Sequence, residues 1–512
     1  MKRSFTAFAS VCAAGVMIVS AGVASPAYAD KGRSSHARNI IYLVGDGMGR
    51  THIDAGRLRY FGANGSMAME TLPVHGFVKT YAVEKNSAQP GEPGFAPNYV
   101  TDSASAATAW SSGVKTYNAA LGIDPEGNVK PTVMEMAKKA GYRTGNVSTA
   151  EITDATPAGQ MSHVLARGCQ GPTYSARSCQ DTAITGTELP TSDIRVTPVA
   201  KQIARNGTAD VILGGGLSRF DAADEEALRA QGYDVLSSPA DQTVATRDDL
   251  AGARGDKVFG LFNKGNLTVE KSKRLNPGAP EAQEPTLAEM TAKSIELLTA
   301  DGNRHKGRGH HARGHKGRAN QGKGFYLQVE GALIDKRSHA NDAGQTLEEQ
   351  KAFDDAVKVA FDFAKRDRNT LVIVTADHEC AGFNIIEQGT FTNAEAANPP
   401  VNVDGSNPAN SSTPSRPAGT NTKDATRSTG IINGAGADDP HNFAPATFRT
   451  PDDAEGIEDG SPEASLWLSY LSGNHTGADV PVYAYGPGSG KMQGTIDNTD
   501  LFDIFTDALR LR

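Results

Sequence analysis

The chain has 512 residues, a formal net charge of −8, 38% hydrophobic residues and only 2 tryptophans, ordinary values for a water-soluble protein rich in alanine and glycine. A chain this long can form one large α/β domain with insertions or two domains, and its acidic balance argues against a protein that grips nucleic acid along its whole surface. Beyond the N-terminus no segment reaches 18 uninterrupted apolar residues, so no helical membrane span is expected in the mature protein.

Residues 1–29 read as an export signal. Lys2 and Arg3 precede an apolar run over 7–23, and Ala27-Tyr28-Ala29 forms a small-residue cleavage site ahead of Asp30. The run is shorter than a membrane span, and the absence of a twin arginine points to the general export route. Cleavage removes two positive charges and no acid, which moves the net charge from −8 to −10. The mature protein is expected outside the cell, with the periplasm as the alternative.

The first predicted strand, 40–44, runs into Gly45-Asp46-Gly47-Met48-Gly49. This is not a dinucleotide loop: the third glycine is missing from its place, and Asp46 would repel a pyrophosphate. A metal carboxylate between permissive glycines fits better. Residues 100–108, VTDSASAAT, place Ser103 behind Asp102 in a run of small side chains. A serine hydroxyl is a poor nucleophile until something removes or stabilises its proton, and no Ser-His-Asp order is apparent nearby.

A helix is expected over 132–140 and a strand over 144–148, followed by Asp154 and Thr156. Cys169 and Cys179 stand ten positions apart in a Gly/Pro/Ser-rich segment, well placed for a short-loop disulfide in an oxidising compartment. Further strands are expected over 211–213, 325–329 and 371–374, with a helix over 286–298 before the last two. Between them, 304–323 holds seven Lys/Arg, four His and no acid, the composition of a solvated loop.

The fourth strand ends at Glu330, with Asp335 and His339 beyond it at a spacing that shares one helical face. The fifth ends at Asp377-His378, with Cys380 two residues on, read as a small buried residue before a ligand. Residues 388–463 are rich in Asn, Pro, Ser, Thr, Gly and Ala and read as an irregular insertion with little core of its own. His475 follows, and 498–511 reads as a closing amphipathic helix.

Short buried strands alternating with helices predict an α/β fold with a doubly wound, mostly parallel central sheet flanked by helices and carrying irregular insertions. One domain is expected over 30–512. Ligands in such folds gather beyond the C-terminal strand ends, where Asp46, Asp154, Glu330 and Asp377 would all stand. Taken singly, a strand-end aspartate is more often a helix cap and a lone histidine more often a hydrogen-bonded polar residue. Their recurrence around one serine points to metal ions as its activator. Mixed Asp/His sets suit zinc, and the oxygen-only set of Asp154, Thr156 and Glu330 suits magnesium.

NIIYLVGDGMG, VTDSASAAT, VSTAEITDATPA, VEGALIDKRSH, VTADH and NHTG, in that order, resemble the alkaline phosphatase family in its bacterial form. The resemblance implies hydrolysis of small phosphate monoesters through a phosphoserine at Ser103, with broad leaving-group tolerance and an alkaline optimum. It implies two zinc ions and one magnesium ion per subunit. One zinc would be held by Asp335, His339 and His475, the other by Asp46, Asp377 and His378. Magnesium would be held by Asp154, Thr156 and Glu330, with Asp46 shared. The same resemblance makes Arg167 the phosphate clamp, oriented by Asp102, and lets Lys336 reach phosphate indirectly. It also implies a homodimer, although nine residues between the cleavage site and the first strand make a short N-terminal arm and leave a monomer open. The alternative enzyme is a phosphodiesterase or phosphotransferase on the same core. A non-catalytic metal or phosphate scavenger is suggested only by the His-rich loop.

Overall fold

Asn39–Gly45 (β1), Phe325–Gly331 and Thr370–Thr375 are buried along their whole length. Continuous apolar strands of this kind need helices on both faces of the sheet. In chain order the other strands of the main sheet in this computed structural model are Val74–Lys79 (β2), Arg143–Glu151 (β3), Val211–Gly215 (β4), Tyr233–Val235 (β5) and Lys257–Leu261 (β6). Phe325–Gly331 is β7 and Thr370–Thr375 is β8. Val480–Tyr485 (β9) and Gly494–Asp497 (β10) complete the ten. The structure describes residues 36–173, 175–180, 189–190, 192–300, 322–389, 447–461, 463–471 and 473–512. The expected signal at 1–29 and nearly all of the basic loop lie outside the described residues.

The strand order is β10-β2-β9-β8-β1-β7-β3-β4-β6-β5. Only β9 runs against the rest, antiparallel to both β8 and β2. All five strands expected from the sequence are present. The four whose ends carry Asp46, Asp154, Glu330 and Asp377 are β1, β3, β7 and β8, and these are consecutive, parallel neighbours at the centre of the sheet. Their C-terminal ends therefore share one edge, which gathers residues that are far apart in the chain.

Helices Arg50–Phe61 (α1), Ser103–Ser112 (α2), Val133–Lys139 (α3), Ala155–Ala158 (α4) and Leu287–Thr299 (α5) precede β7. Leu333–His339 (α6), Ala343–Asp367 (α7) and Asp500–Leu509 (α8) follow it. One layer is built on α7, which packs against α1, α5 and β1; the other is built on α8, which packs against α2, α3 and β1. The edge-to-face contacts of Tyr42 with Trp110 and Phe505 belong to this second layer. The helices expected over 132–140, 286–298 and 498–511 are α3, α5 and α8.

Most of the 388–463 stretch lies outside the described residues. Thr447–Phe448 is a strand paired with Leu466–Ser469, which also pairs with Asn384–Ile386. Phe448 is buried there with Phe383, Leu466, Leu468 and Tyr470 in a second hydrophobic cluster. Of these only Phe448 belongs to 388–463, so the far end of that stretch is tied to a core supplied by the segments that flank it. No helix among the described residues is long and apolar enough to cross a membrane.

Candidate active site

β1 ends in a turn that only glycine fits. Gly47 has φ +68°, and a Cβ there would meet Asp335 Oδ1 and Cys380 Cβ, each at 2.8 Å. Its N–H donates to Asp377 Oδ1 at 3.0 Å, so the GDGMG turn packs directly against the ends of α6 and β8. Asp46 is thereby delivered to the same point as Asp335 and Asp377.

Ser103 opens α2 and is 3% exposed. Asp102 caps the helix: its Oδ1 accepts the Ser105 N–H at 2.9 Å, and its Oδ2 accepts the Ala119 N–H at 3.0 Å. The run of small residues after Ser103 permits close packing, since a Cβ on Gly159 would stand 2.6 Å from Ala107 Cβ. Ser103 Oγ lies 3.3 Å from His378 Nε2. His378 in turn is 3.1 Å from Asp377 Oδ2 and 3.6 Å from Asp46 Oδ1.

Beside this group, α6 places Asp335 Oδ2 3.2 Å from His339 Nε2, with His475 Nε2 3.6 Å from Asp335 Oδ1. The two imidazoles are oriented from behind. His339 Nδ1 is 2.7 Å from the Gly473 carbonyl, and His475 Nδ1 is 2.9 Å from the Thr101 carbonyl. A carbonyl can only accept, so each Nδ1 carries a proton, and Nε2 is the atom through which each ring can offer a lone pair. These two Nε2 atoms face each other at 3.1 Å. Opposed Nε2 atoms at that distance, backed by carbonyls, are the arrangement of imidazoles that share a cation.

Other atoms point the same way. Asp46 Oδ1, Asp335 Oδ1, Asp377 Oδ2, His378 Nδ1 and Thr156 Oγ1 are all buried without a hydrogen-bond partner. Buried polar atoms are rarely left so. The donor atoms of Asp335, His339, Cys380 and His475 lie within 4.8 Å of one another, as do those of Asp46, Asp335 and His378. The donor chemistry fits metal ions at both places, and Asp335 belongs to both.

The oxygen-only set is arranged differently. Asp154 Oδ1 is 2.7 Å from Arg167 Nη2, and Asp154 Oδ2 is 2.8 Å from Lys336 Nζ. Glu330 accepts from the Ser148 hydroxyl. Among the described residues the tight donor clusters include neither Asp154 nor Glu330. Arg167 also reaches Asp102, Nη1 to Oδ2 at 3.2 Å, so two carboxylates fix its guanidinium plane. Ser148 and Asn118 were not singled out from the sequence. Asn118 Oδ1 accepts the Asp102 N–H at 3.0 Å, a contact with no local sequence signal.

The electrostatics show crowding. Burial, then Asp377, Asp335 and Glu330, raise the Asp46 carboxyl well above the usual range. Burial, with Asp154 and Asp377 adding, pushes Glu330 up to about 8. Burial also opposes ionisation of Asp154, but Lys336 and Arg167 outweigh it and lower its pKa. Burial, with His378 beside it, pushes His475 down to about 3, in keeping with a neutral ring.

The segment bearing Arg167 is laced to the chain beyond α2. Arg167 N–H donates to the Ala119 carbonyl at 2.7 Å, and the Cys169–Cys179 disulfide expected from the sequence closes just after it. His163 anchors the segment's start, with Nδ1 2.8 Å from the Gly122 carbonyl and Nε2 3.0 Å from Glu135 Oε1. Although burial disfavours the charged ring, Glu135 and the Gly122 carbonyl raise the His163 pKa, and His163 lowers that of Glu135. The His163 contribution is complete below the free imidazole pKa of about 6.5 and is lost as pH rises through the raised value. The Glu135 contribution is present above the free carboxyl pKa and is lost as pH falls through the depressed one. Urea midpoints of wild type and His163→Gln should therefore differ most from mild acid to neutrality and converge on the alkaline side. A constant difference at every pH would contradict this.

The alkaline phosphatase family profile matches residues 37–511. The alkaline phosphatase of Escherichia fergusonii is 35% identical over 505 residues, covering 93% of this chain and 86% of that protein. The streptomycin-6-phosphate phosphatase of Streptomyces griseus is 34% identical over 526 residues, covering 97% and 96%. Among solved structures, alkaline phosphatase from the Antarctic bacterium TAB5 superposes with a TM-score of 0.60 at 24% identity, covering 93% of this chain and 99% of that one, a likeness of fold. With the family's motifs folded onto one edge of the sheet, this chain belongs to the alkaline phosphatase family and is a metal-dependent phosphoric monoester hydrolase.

Proposed function

We propose that the chain hydrolyses small phosphate monoesters outside the cytoplasm through a phosphoserine at Ser103, with an alkaline optimum. The carrying observation is Ser103 Oγ, buried at a helix N-terminus 3.3 Å from His378 Nε2, beside a guanidinium that two carboxylates hold fixed. The Ser105 and Ala106 amides are taken by Asp102, so the Ser103 and Ala104 amides at the start of α2 and the Arg167 fork offer donors to non-bridging oxygens. Ser103 Oγ attacks phosphorus in line, its proton passing to solvent, as the bond to the leaving alcohol breaks. Water then cleaves the serine ester and frees inorganic phosphate and Ser103. Since the chain's donors face the phosphoryl group and not the alcohol, many leaving groups are accepted.

Asp335, His339 and His475 would hold one zinc, and Asp46, Asp377 and His378 the other, with the Asp335 carboxylate between them. Glu330, Thr156 and Asp46 would hold magnesium, with Asp154 contributing from its place between Lys336 and Arg167. When bound, these ions supply Lewis-acid charge that favours the alkoxide form of serine, the departing oxygen and an ionised water. The chain's own part is orientation: carbonyls fix the imidazole tautomers, Gly47 seats Asp377, and Asp102 and Asp154 aim Arg167.

Arg167→Lys keeps the charge but loses the two-pronged geometry. It should lower kcat/KM for an aryl phosphate about tenfold to a hundredfold, the equivalent of a charge-assisted hydrogen bond. An unchanged kcat/KM would remove Arg167 from phosphate binding. The competing reading is a phosphodiesterase or phosphotransferase on the same core. The positive charge of Arg167 and of the bound ions favours the doubly charged monoester over the singly charged diester, so monoester rates should exceed diester rates by orders of magnitude. Because one relative is named for streptomycin-6-phosphate, an aminoglycoside phosphate belongs in the same substrate panel. We read 1–29 as the export signal and 30–512 as one domain, consistent with the Cys169–Cys179 disulfide and with the grouping of Ser34–Arg512 as one compact unit. Sedimentation decides between a homodimer and a monomer.

A further inference from the structure

The Cys380 thiol faces the metal centre without a role in the reading above. Glu379–Cys380 is a short strand antiparallel to His475–Thr476, with Cys380 directly opposite His475. The Cys380 N–H donates to the Gly47 carbonyl at 3.0 Å, and its Sγ lies 3.7 Å from the Asp335 carbonyl. The segments that carry Asp46, Asp335 and His475 thus all fix its position. Its sulfur is one of four donor atoms, with those of Asp335, His339 and His475, that lie within 4.8 Å of one another. Two observations independent of the cysteine mark this point as a ligand site. Asp335 Oδ1 is buried there without a hydrogen-bond partner, and two imidazole Nε2 atoms meet there at 3.1 Å.

We propose that Cys380 binds through Sγ the ion held by Asp335, His339 and His475. The inference rests on the metal-centre reading above and deepens it. As the metal–sulfur bond forms, the thiol proton leaves to solvent and no electrons are transferred. The centre then offers one oxygen, two nitrogens and one sulfur, a softer set than the two carboxylates and one imidazole of Asp46, Asp377 and His378. It therefore prefers thiophilic ions such as zinc or cobalt(II) to magnesium, and discriminates more sharply than its neighbour.

Cobalt(II) alone is the probe, added after chelation to the processed chain prepared without residues 1–29, which removes Cys12. Of the remaining cysteines, Cys169 and Cys179 are joined to each other, so a sulfur signal reports Cys380. Expected are visible cobalt bands together with a near-ultraviolet sulfur-to-cobalt charge-transfer band. Cys380→Ala should remove only the charge-transfer band and yield cobalt to a competing chelator at least about tenfold more readily. Visible bands without charge transfer in the wild type would overturn the role of Cys380 and leave the metal centre standing. No cobalt bands at all would overturn both. The deciding spectrum is taken on the wild type, so the folding of the variant does not affect it.

Discussion

Ser103→Ala is expected to reduce turnover of a simple aryl phosphate by about a thousandfold or more, the scale on which removal of a nucleophile is felt. Neighbouring hydroxyls cannot take over. Thr101 Oγ1 donates to the Asp102 carbonyl at 3.0 Å, and Ser105 Oγ is held by Asp102 Oδ1 at 2.9 Å and Asn118 Oδ1 at 2.8 Å. The substitution leaves the helix intact, because the Asp102 cap stays and alanine already fills the next position. The melting temperature should therefore stay put while activity disappears. Wild-type turnover in the variant would remove Ser103 from the reaction.

Chelation is expected to abolish turnover and to lower thermal stability in the same titration. Asp46, Asp154, Glu330, Asp335 and Asp377 are all buried at one edge of the sheet. The nearby cations Lys336 and Arg167 are both taken up by Asp154, with Asp102 sharing the second. Without ions the remaining carboxylates repel or must take up protons. Each ion present at about a thousand times its Kd stabilises the fold by about 4 kcal/mol, so the melting temperature should fall by several degrees. Asp46→Asn gives the sign test. It removes one charge from the crowd, so it should raise the melting temperature of the chelated protein and lower that of the loaded one. Equal melting with and without chelator would contradict the account.

The central strands were legible because each is a short apolar run ending in glycine or acid, and a parallel sheet puts all such ends on one edge. Half of the sheet was not. Pro481 breaks the pattern of β9, Gly260 that of β6, and β2 alternates as a half-exposed strand does. At the site, the pairing of Asp335 with His339 follows from helical spacing. That Asp335 also faces Asp46 and His378 depends on how α6 packs against the GDGMG turn, which no local pattern encodes. Asp154 reads locally as a strand-end oxygen, yet its carboxylate is spent on Lys336, 182 positions away, and on Arg167. Cys380 reads as a small core residue because burial and ligation ask for the same residue; its place opposite His475 and beside Asp335 emerges only from the fold.

In the proposed reaction Ser103 itself takes the phosphoryl group. The most direct measurement is acid quenching of the loaded enzyme during turnover of a phosphate monoester, followed by peptide mass analysis. A phosphate is expected on the peptide bearing Ser103, absent from chelated protein and from Ser103→Ala. Full turnover with no trapped phosphate, or phosphate on any other residue, would contradict it.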